Sequence, residues 1–252
     1  MKRPVRSGVG AAAVVVFLTG LLFVRFSEAS YVAGVSAFLV VLFALPSYAG
    51  YGAWLGPKRA VSLVCLLSVL PLLVEAFAVA TGFPYGIFSY GDVLGWKIFG
   101  LVPWTVAFAY PPLPLGAVAL ARHLAGNDPR KLIPAATGLL VAADLVIDPA
   151  AVHAGFWTWE AYGWYYGIPP VNFAGWILTG ALYITIIWWF VKTPSEKSCP
   201  DPVAGASSLL LILAFWTGYL LREGLFFPAA IGVILMLGSA AIAHSAGAEM
   251  RR

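Results

Sequence analysis

Leu132-Ile-Pro-Ala-Ala-Thr-Gly-Leu-Leu-Val-Ala-Ala-Asp144-Leu-Val-Ile-Asp148-Pro149 is apolar enough to read as a membrane helix, yet two aspartates interrupt it four residues apart. A second apolar run, Val61–Thr81, carries Glu75. A carboxylate near hydrocarbon costs ~3 kcal/mol on insertion scales, so an intramembrane acid marks a functional site. Both runs open into connections crowded with Gly, Pro, Tyr and Trp. Acids beside aromatic walls point to proton chemistry on an apolar substrate.

Working outward, the rest of the chain is of the same kind. Of its 252 residues, 61% are hydrophobic and 10% charged, with a mean hydropathy of +0.89; soluble domains carry roughly 25% charged residues. The reading is an all-α polytopic membrane protein, residues 1–252 forming a single integral-membrane domain. Eight apolar segments are expected as spans: Val9–Val24, Val32–Trp54, Val61–Thr81, Phe99–Leu120, Leu132–Ile147, Phe173–Val191, Val203–Leu221 and Leu225–His244. The first could be a signal peptide, but Arg25–Ser30 offers no small-x-small cleavage site, and it reads as a retained span.

With the amino terminus inside, the inner connections hold Lys2, Arg3, Arg6, Lys58, Arg59, Arg122, Arg130, Lys131, Lys192, Lys197, Arg251 and Arg252. The outer ones hold Arg25, Lys97 and Arg222. That asymmetry supports eight spans with both termini cytoplasmic. It also accounts for the formal charge of +4 without a nucleic-acid partner. Cys65 and Cys199 make no metal-ligand pattern and are not expected to pair. His123, His153 and His244 are far apart in sequence, so no metal site is expected.

In this orientation Glu75 sits seven residues before Gly82, roughly 10 Å below the outer end of its span. Asp144 and Asp148 share one helix face, and Pro149 makes Asp148 the expected last helical residue. A weak internal echo joins the two units. Glu75 precedes Gly82-Phe83 by seven residues, Asp148 precedes Gly155-Phe156 by seven, and both stretches close on Tyr-Gly. A real echo would make Glu75 and Asp148 equivalent positions on one central cavity.

Two outer connections carry the aromatic residues. The first runs Gly82-Phe-Pro-Tyr-Gly-Ile-Phe-Ser-Tyr-Gly91 and continues to Val102-Pro103-Trp104. The second holds Gly155-Phe-Trp-Thr-Trp159 and Tyr165-Tyr-Gly-Ile-Pro-Pro-Val-Asn-Phe-Ala-Gly-Trp176. An interfacial belt accounts for Trp54, Trp188, Trp189 and Trp216. It accounts less well for rings interleaved with Gly and Pro, which suggest a rigid, irregular lid over a cavity.

Glu75, Gly82-x-Pro84-x-Gly86, Asp144-x-x-x-Asp148-Pro149, Gly155-x-Trp157-x-Trp159 and Tyr166-Gly167-x-Pro169-x-x-Asn172-x-x-Gly175-Trp176 together resemble the membrane carotenoid hydratases of the CruF type. The matching core is about two-fifths of the chain. The resemblance implies carotenoid biosynthesis: water added, without a cofactor, to the terminal isoprenoid C=C of an acyclic end, on a C50 bisanhydrobacterioruberin-like or C40 carotenoid. It implies a carotenoid or isoprenoid lipid substrate, a surrounding of membrane lipid, and other carotenoid-pathway membrane enzymes as neighbours.

The residue types suit that reaction. Hydration needs a proton on the less substituted carbon and water capture of the tertiary cation. A neutral carboxylic acid donates, an ionised one orients and deprotonates the water, and aromatic faces stabilise the cation. Asp144 or Glu75 is the candidate donor and Asp148 the water-orienting base. Tyr85, Tyr90, Trp104, Trp157, Trp159, Tyr166, Asn172 and Trp176 are the candidate substrate-binding residues. Structural alternatives exist: Glu75 paired with Arg222 or Lys97, Asp148 ending its helix, Asn172 bonding loop backbone. An intramembrane prenyltransferase is the nearest rival enzyme, since Asp144-x-x-x-Asp148 copies half of its motif, but the second acid cluster that would hold Mg²⁺ is absent. A lipid- or carotenoid-binding protein or transporter is the rival from outside catalysis.

Overall fold

The computed structural model describes residues 3–22, 24, 32–192 and 202–249. Lys2, Arg25, Lys197, Cys199, Arg251 and Arg252 lie outside the described residues. Eight helices of at least fourteen residues run through the rest: α1 (Arg3–Leu22), α2 (Val32–Leu55), α3 (Pro57–Thr81), α5 (Pro112–Ala125), α6 (Pro129–His153), α7 (Pro170–Val191), α8 (Pro202–Arg222) and α9 (Phe226–Glu249). A single turn, α4 (Val106–Ala109), precedes α5. Helices α3, α5, α6, α7 and α8 each open on a proline, whose missing N–H would have no partner there anyway. At the far end of α3, Gly82 adopts φ 79° and returns its N–H to the Ala78 carbonyl at 2.7 Å.

Among the described residues, six helices are long and apolar enough to cross a membrane: α2, α3, α6, α7, α8 and α9. The chain is therefore an integral membrane protein. Helix α1 offers a shorter apolar stretch, Gly8–Leu22. The fourth expected span, Phe99–Leu120, is not one helix. Strands β2 (Lys97–Ile98) and β3 (Val102–Pro103) form a hairpin, α4 makes a turn, and only then does α5 begin. Pro103, Pro111 and Pro112 lack the N–H that a continuous helix would need. At fourteen residues α5 covers about 21 Å, short of the ~30 Å hydrocarbon layer.

Helix α8 is the hub, packed on α1, α2, α5, α6 and α9 and buried almost throughout. Small residues let the backbones approach. At the α1–α8 crossing, Gly20 lies against the Phe215 carbonyl and Gly218 against that of Phe17. Between α2 and α8, Ser47 and Ser208 exchange bonds: each hydroxyl accepts the other's N–H, at 2.9 and 3.1 Å, and each donates to a carbonyl of the facing helix.

The expected irregular lid is partly regular. Strand β1 (Phe88–Tyr90) from the first connection pairs antiparallel with β4 (Trp157–Trp159) from the second, in the register Phe88↔Trp159, Ser89↔Thr158, Tyr90↔Trp157. Ser89 and Thr158 are exposed, whereas the four rings face inward.

Helix α6 also departs from expectation, because it does not stop at Asp148 but continues through Pro149 to His153. Proline 149 removes the hydrogen bond that Leu145 O would accept from position i+4. Tyr165 replaces it, its hydroxyl donating to Leu145 O at 2.7 Å. The second connection thus repairs the helix from outside.

Candidate active site

Helices α3 and α6 each pack on α7, and the space they share is closed over by the β1–β4 ribbon. The result is a cavity of about 400 Å³. Its walls are mainly Phe, Tyr, Trp, Leu and Val side chains from α2, α5, α8 and the two connections. Glu75, Asp144, Asp148 and Asn172 line it too, all buried, with Asp144 at 1% exposure and Asp148 at 2%.

The polar side chains form two groups. In the first, Asp144 and Asp148 lie one helical turn apart and interact directly. Asn172, third residue of α7, donates to Asp148 Oδ2 at 2.6 Å and lies 3.5 Å from Asp144 Oδ2. The Trp157 indole faces Asp148 as well. Asp144 Oδ1 has no hydrogen-bond partner. The alternative of Asn172 bonding loop backbone with its amide is thereby replaced by a bond to the acids.

The second group surrounds Glu75. Tyr90 donates from its hydroxyl to Glu75 Oε2 at 3.0 Å. The cations considered as structural partners are engaged elsewhere: Lys97 with Asp92 at 3.0 Å and the Tyr90 carbonyl at 2.6 Å, Arg222 with Glu223 at 3.4 Å. Burial, then the neighbouring Glu75, push the Tyr90 phenol well above its ordinary range, so it is a neutral donor. Tyr90 and Trp157 are cross-strand partners. One ribbon pair therefore serves both acid groups, and Glu75 and Asp148 face one cavity as the internal echo required.

Among the other expected binding residues, Tyr85, Trp159 and Trp176 line the cavity. Trp159 fixes the first connection by donating to the Tyr85 carbonyl at 2.9 Å. Trp104 and Tyr166 do not line it. Trp104 stacks on Trp96 over a separate shallow groove against α2, because the β2–β3 hairpin carries it sideways. Tyr166 sits at φ 51° in a tight turn, which turns it onto Tyr165.

Several lining residues were not anticipated. Tyr110 stacks on Trp176 with centroids 5.3 Å apart and an 11° tilt. Phe156 and Trp216 meet edge to face at 5.4 Å. Trp216 and Trp54 are buried in the protein: Trp216 walls the cavity, and Trp54, next to the end of α2, packs on Tyr51 beneath Arg122. An indole inside an apolar run does not reveal which face it occupies. Among the described residues no group of three His, Cys, Asp or Glu side chains could hold a metal ion.

With this geometry in view, the comparisons with known proteins are specific. The family described as "Carotenoid biosynthesis protein" matches residues 30–239. The chain belongs to that family. It is 32% identical over 200 residues to the bisanhydrobacterioruberin hydratase of Haloarcula japonica, a match covering 77% of this chain and 67% of that protein. No solved structure matches. The family match takes in both acid groups, both strands of the ribbon and all of α2 to α8, but leaves out α1 and the end of α9.

Proposed function

We propose that the protein is a carotenoid hydratase that adds water to the terminal isoprenoid C=C of an acyclic carotenoid end, C40 or C50, without a cofactor. One observation carries the reading: a single ring-walled cavity holds two separate groups of buried acids. The hydratase relative supports it. A cavity of about 400 Å³ suits a chain end rather than a whole carotenoid, so the remaining polyene extends into lipid.

The two groups divide the work. Asp144, with its unpartnered Oδ1, gives a proton to the less substituted alkene carbon; the π pair becomes the new C–H bond and leaves a tertiary cation. Asp148, held by Asn172 and Trp157, supports that donor rather than acting on water. The stacked faces of Tyr110 and Trp176 stabilise the cation. Water captures it, forming the C–O bond, and Glu75 takes the proton that the resulting oxonium loses. Exchange with solvent then returns a proton to Asp144 and removes the one held by Glu75, which resets the site. Among the described residues Lys58, Arg59, Arg130, Lys131 and Lys192 lie at the end of the bundle away from the ribbon, against Lys97 and Arg222 at the ribbon end, which supports cytoplasmic termini and a ribbon on the outer side.

The test is chromatography of pigments from a host that makes acyclic carotenoids, expressing wild type, Asp144→Asn or Glu75→Gln. Wild type yields more polar alcohols carrying solvent oxygen, and each variant loses at least about a hundredfold in rate. Wild-type hydration by both variants refutes the site. A mass gain that needs a diphosphate and a metal would identify a transferase, and binding without turnover a carrier.

A further inference from the structure

Tyr85 and Tyr110 in the cavity wall, with Thr179 and Tyr183 buried behind them, form a group of hydroxyls that the proton transfers above do not use. Thr179 lies two helical turns beyond Asn172 on α7, and its Oγ1 donates to the Gly175 carbonyl at 2.9 Å. Its proton is thereby committed. The Tyr85 hydroxyl, 2.9 Å away, must then donate to Thr179 Oγ1, which leaves the Tyr85 oxygen as an acceptor. Tyr110 and Tyr183 pack edge to face with centroids 4.9 Å apart beside this pair. Their hydroxyls are buried and complete no hydrogen bond, although the Tyr110 hydroxyl faces Thr179. Tyr85 and Tyr110 line the cavity, and the charge of Glu75 acts on all three phenols.

Buried hydroxyls without partners are costly, and two on neighbouring rings mark a place where a polar guest belongs. The inventory of donors and acceptors defines that guest. Two free O–H donors and one free phenol acceptor, with a carboxylate nearby, suit a neutral oxygen that accepts twice and donates twice.

Resting on the hydratase reading, we infer that Tyr85, Tyr110, Tyr183 and Thr179 form the subsite for the water that is added. The oxygen accepts from Tyr110 and Tyr183 and donates toward Tyr85 and Glu75. It attacks the cation from there, passes one proton to Glu75, and remains as the tertiary alcohol until the product leaves. The acids of α6 govern protonation and the phenols govern capture.

Deuterium and oxygen labels separate those two steps. The full-length protein in lipid vesicles is given lycopene, an acyclic hydrocarbon with no oxygen of its own, in D₂O containing H₂¹⁸O. Alcohol carrying ¹⁸O reports capture, and deuterium in recovered lycopene reports protonation followed by proton loss. Tyr110→Phe and Tyr183→Phe should each lower the ratio of alcohol to exchange by about tenfold or more, while Asp144→Asn abolishes both. Continued exchange shows that the variants are folded. A wild-type ratio in both Phe variants overturns the subsite. So does a defect confined to a hydroxylated polyene, which would make the guest the substrate's own alcohol. A wild-type protein giving neither label refutes the hydratase reading itself.

Discussion

Removing the Tyr165 hydroxyl should destabilise α6 only as long as Pro149 is present. Leu145 O has lost its helical donor to the proline and accepts instead from Tyr165 at 2.7 Å. Tyr165 is otherwise a packed ring, touching Phe173 and Phe227 edge to face, and Phe can keep those contacts. Tyr165→Phe therefore removes one neutral hydrogen bond and leaves a partly buried carbonyl unsatisfied, for a cost of about 1–2 kcal/mol. In a domain of this size that lowers Tm by roughly 2–8 °C. Pro149→Ala restores an N–H four residues after Leu145, so the same Tyr165→Phe change in that background should cost less than about 0.3 kcal/mol. Denaturation of the four proteins in one detergent closes a double-mutant cycle with a coupling of about 1 kcal/mol. Equal costs of Tyr165→Phe in both backgrounds would refute the idea that Tyr165 repairs the proline break.

Gly175→Ala would place a Cβ 2.5 Å from the Tyr85 ring and 2.8 Å from the Pro84 carbonyl. It should cost about 1–3 kcal/mol by overpacking and slow hydration, while Gly138→Ala, with nothing within 4 Å, should be neutral or stabilising; parallel melts decide. Trp104→Ala should leave KM for an acyclic carotenoid within roughly twofold and Trp176→Ala should raise it further, since only Trp176 lines the cavity. The Tyr85 and Tyr90 phenols are raised well above their ordinary value, chiefly by burial and then by Glu75. The stability they contribute is fully present below the ordinary phenol value of about 10 and falls as pH rises above it, because there the unfolded chain releases protons that the folded one keeps. Phenolate absorbance in the folded protein should show both tyrosines silent as the pH is raised past about 10.

The helices were legible because hydropathy and proline punctuation are local signals, and α2, α3, α7 and α8 begin and end within a few residues of expectation. The acids were legible for the opposite reason: Asp144 and Glu75 are rare side chains in apolar runs, so their cost alone singles them out. Local signals also misled. Pro149 lacks an N–H wherever it stands, and only a tyrosine sixteen residues later makes the helix continue. Pro111 and Pro112 read as tolerable in a hydrophobic window, although they end any helix coming from Phe99. Trp104 and Tyr166 share the composition of Trp157 and Trp159. What separates them is which backbone turn carries each ring, and composition does not encode that.

The β1–β4 ribbon shows how much of the site depends on pairing between distant segments. In an antiparallel pair side chains alternate between faces, so slipping one strand by one residue would exchange its inward and outward sets. Phe88 and Tyr90 would then turn outward and Ser89 inward, and Tyr90 would leave Glu75. The same slip in β4 would bring Thr158 in and take Trp157 from Asp148. The register is held at its ends by Gly91 N–H on the Phe156 carbonyl at 2.8 Å and Glu160 N–H on the Ile87 carbonyl at 3.0 Å. A side chain at position 91 would strike the Gly155 carbonyl, so the first of these bonds depends on glycine. Each acid-bearing helix thus supplies its carboxyl locally, while the partner that orients it arrives on the strand that follows. The two halves of the site are made competent together, by one pairing event between the connections.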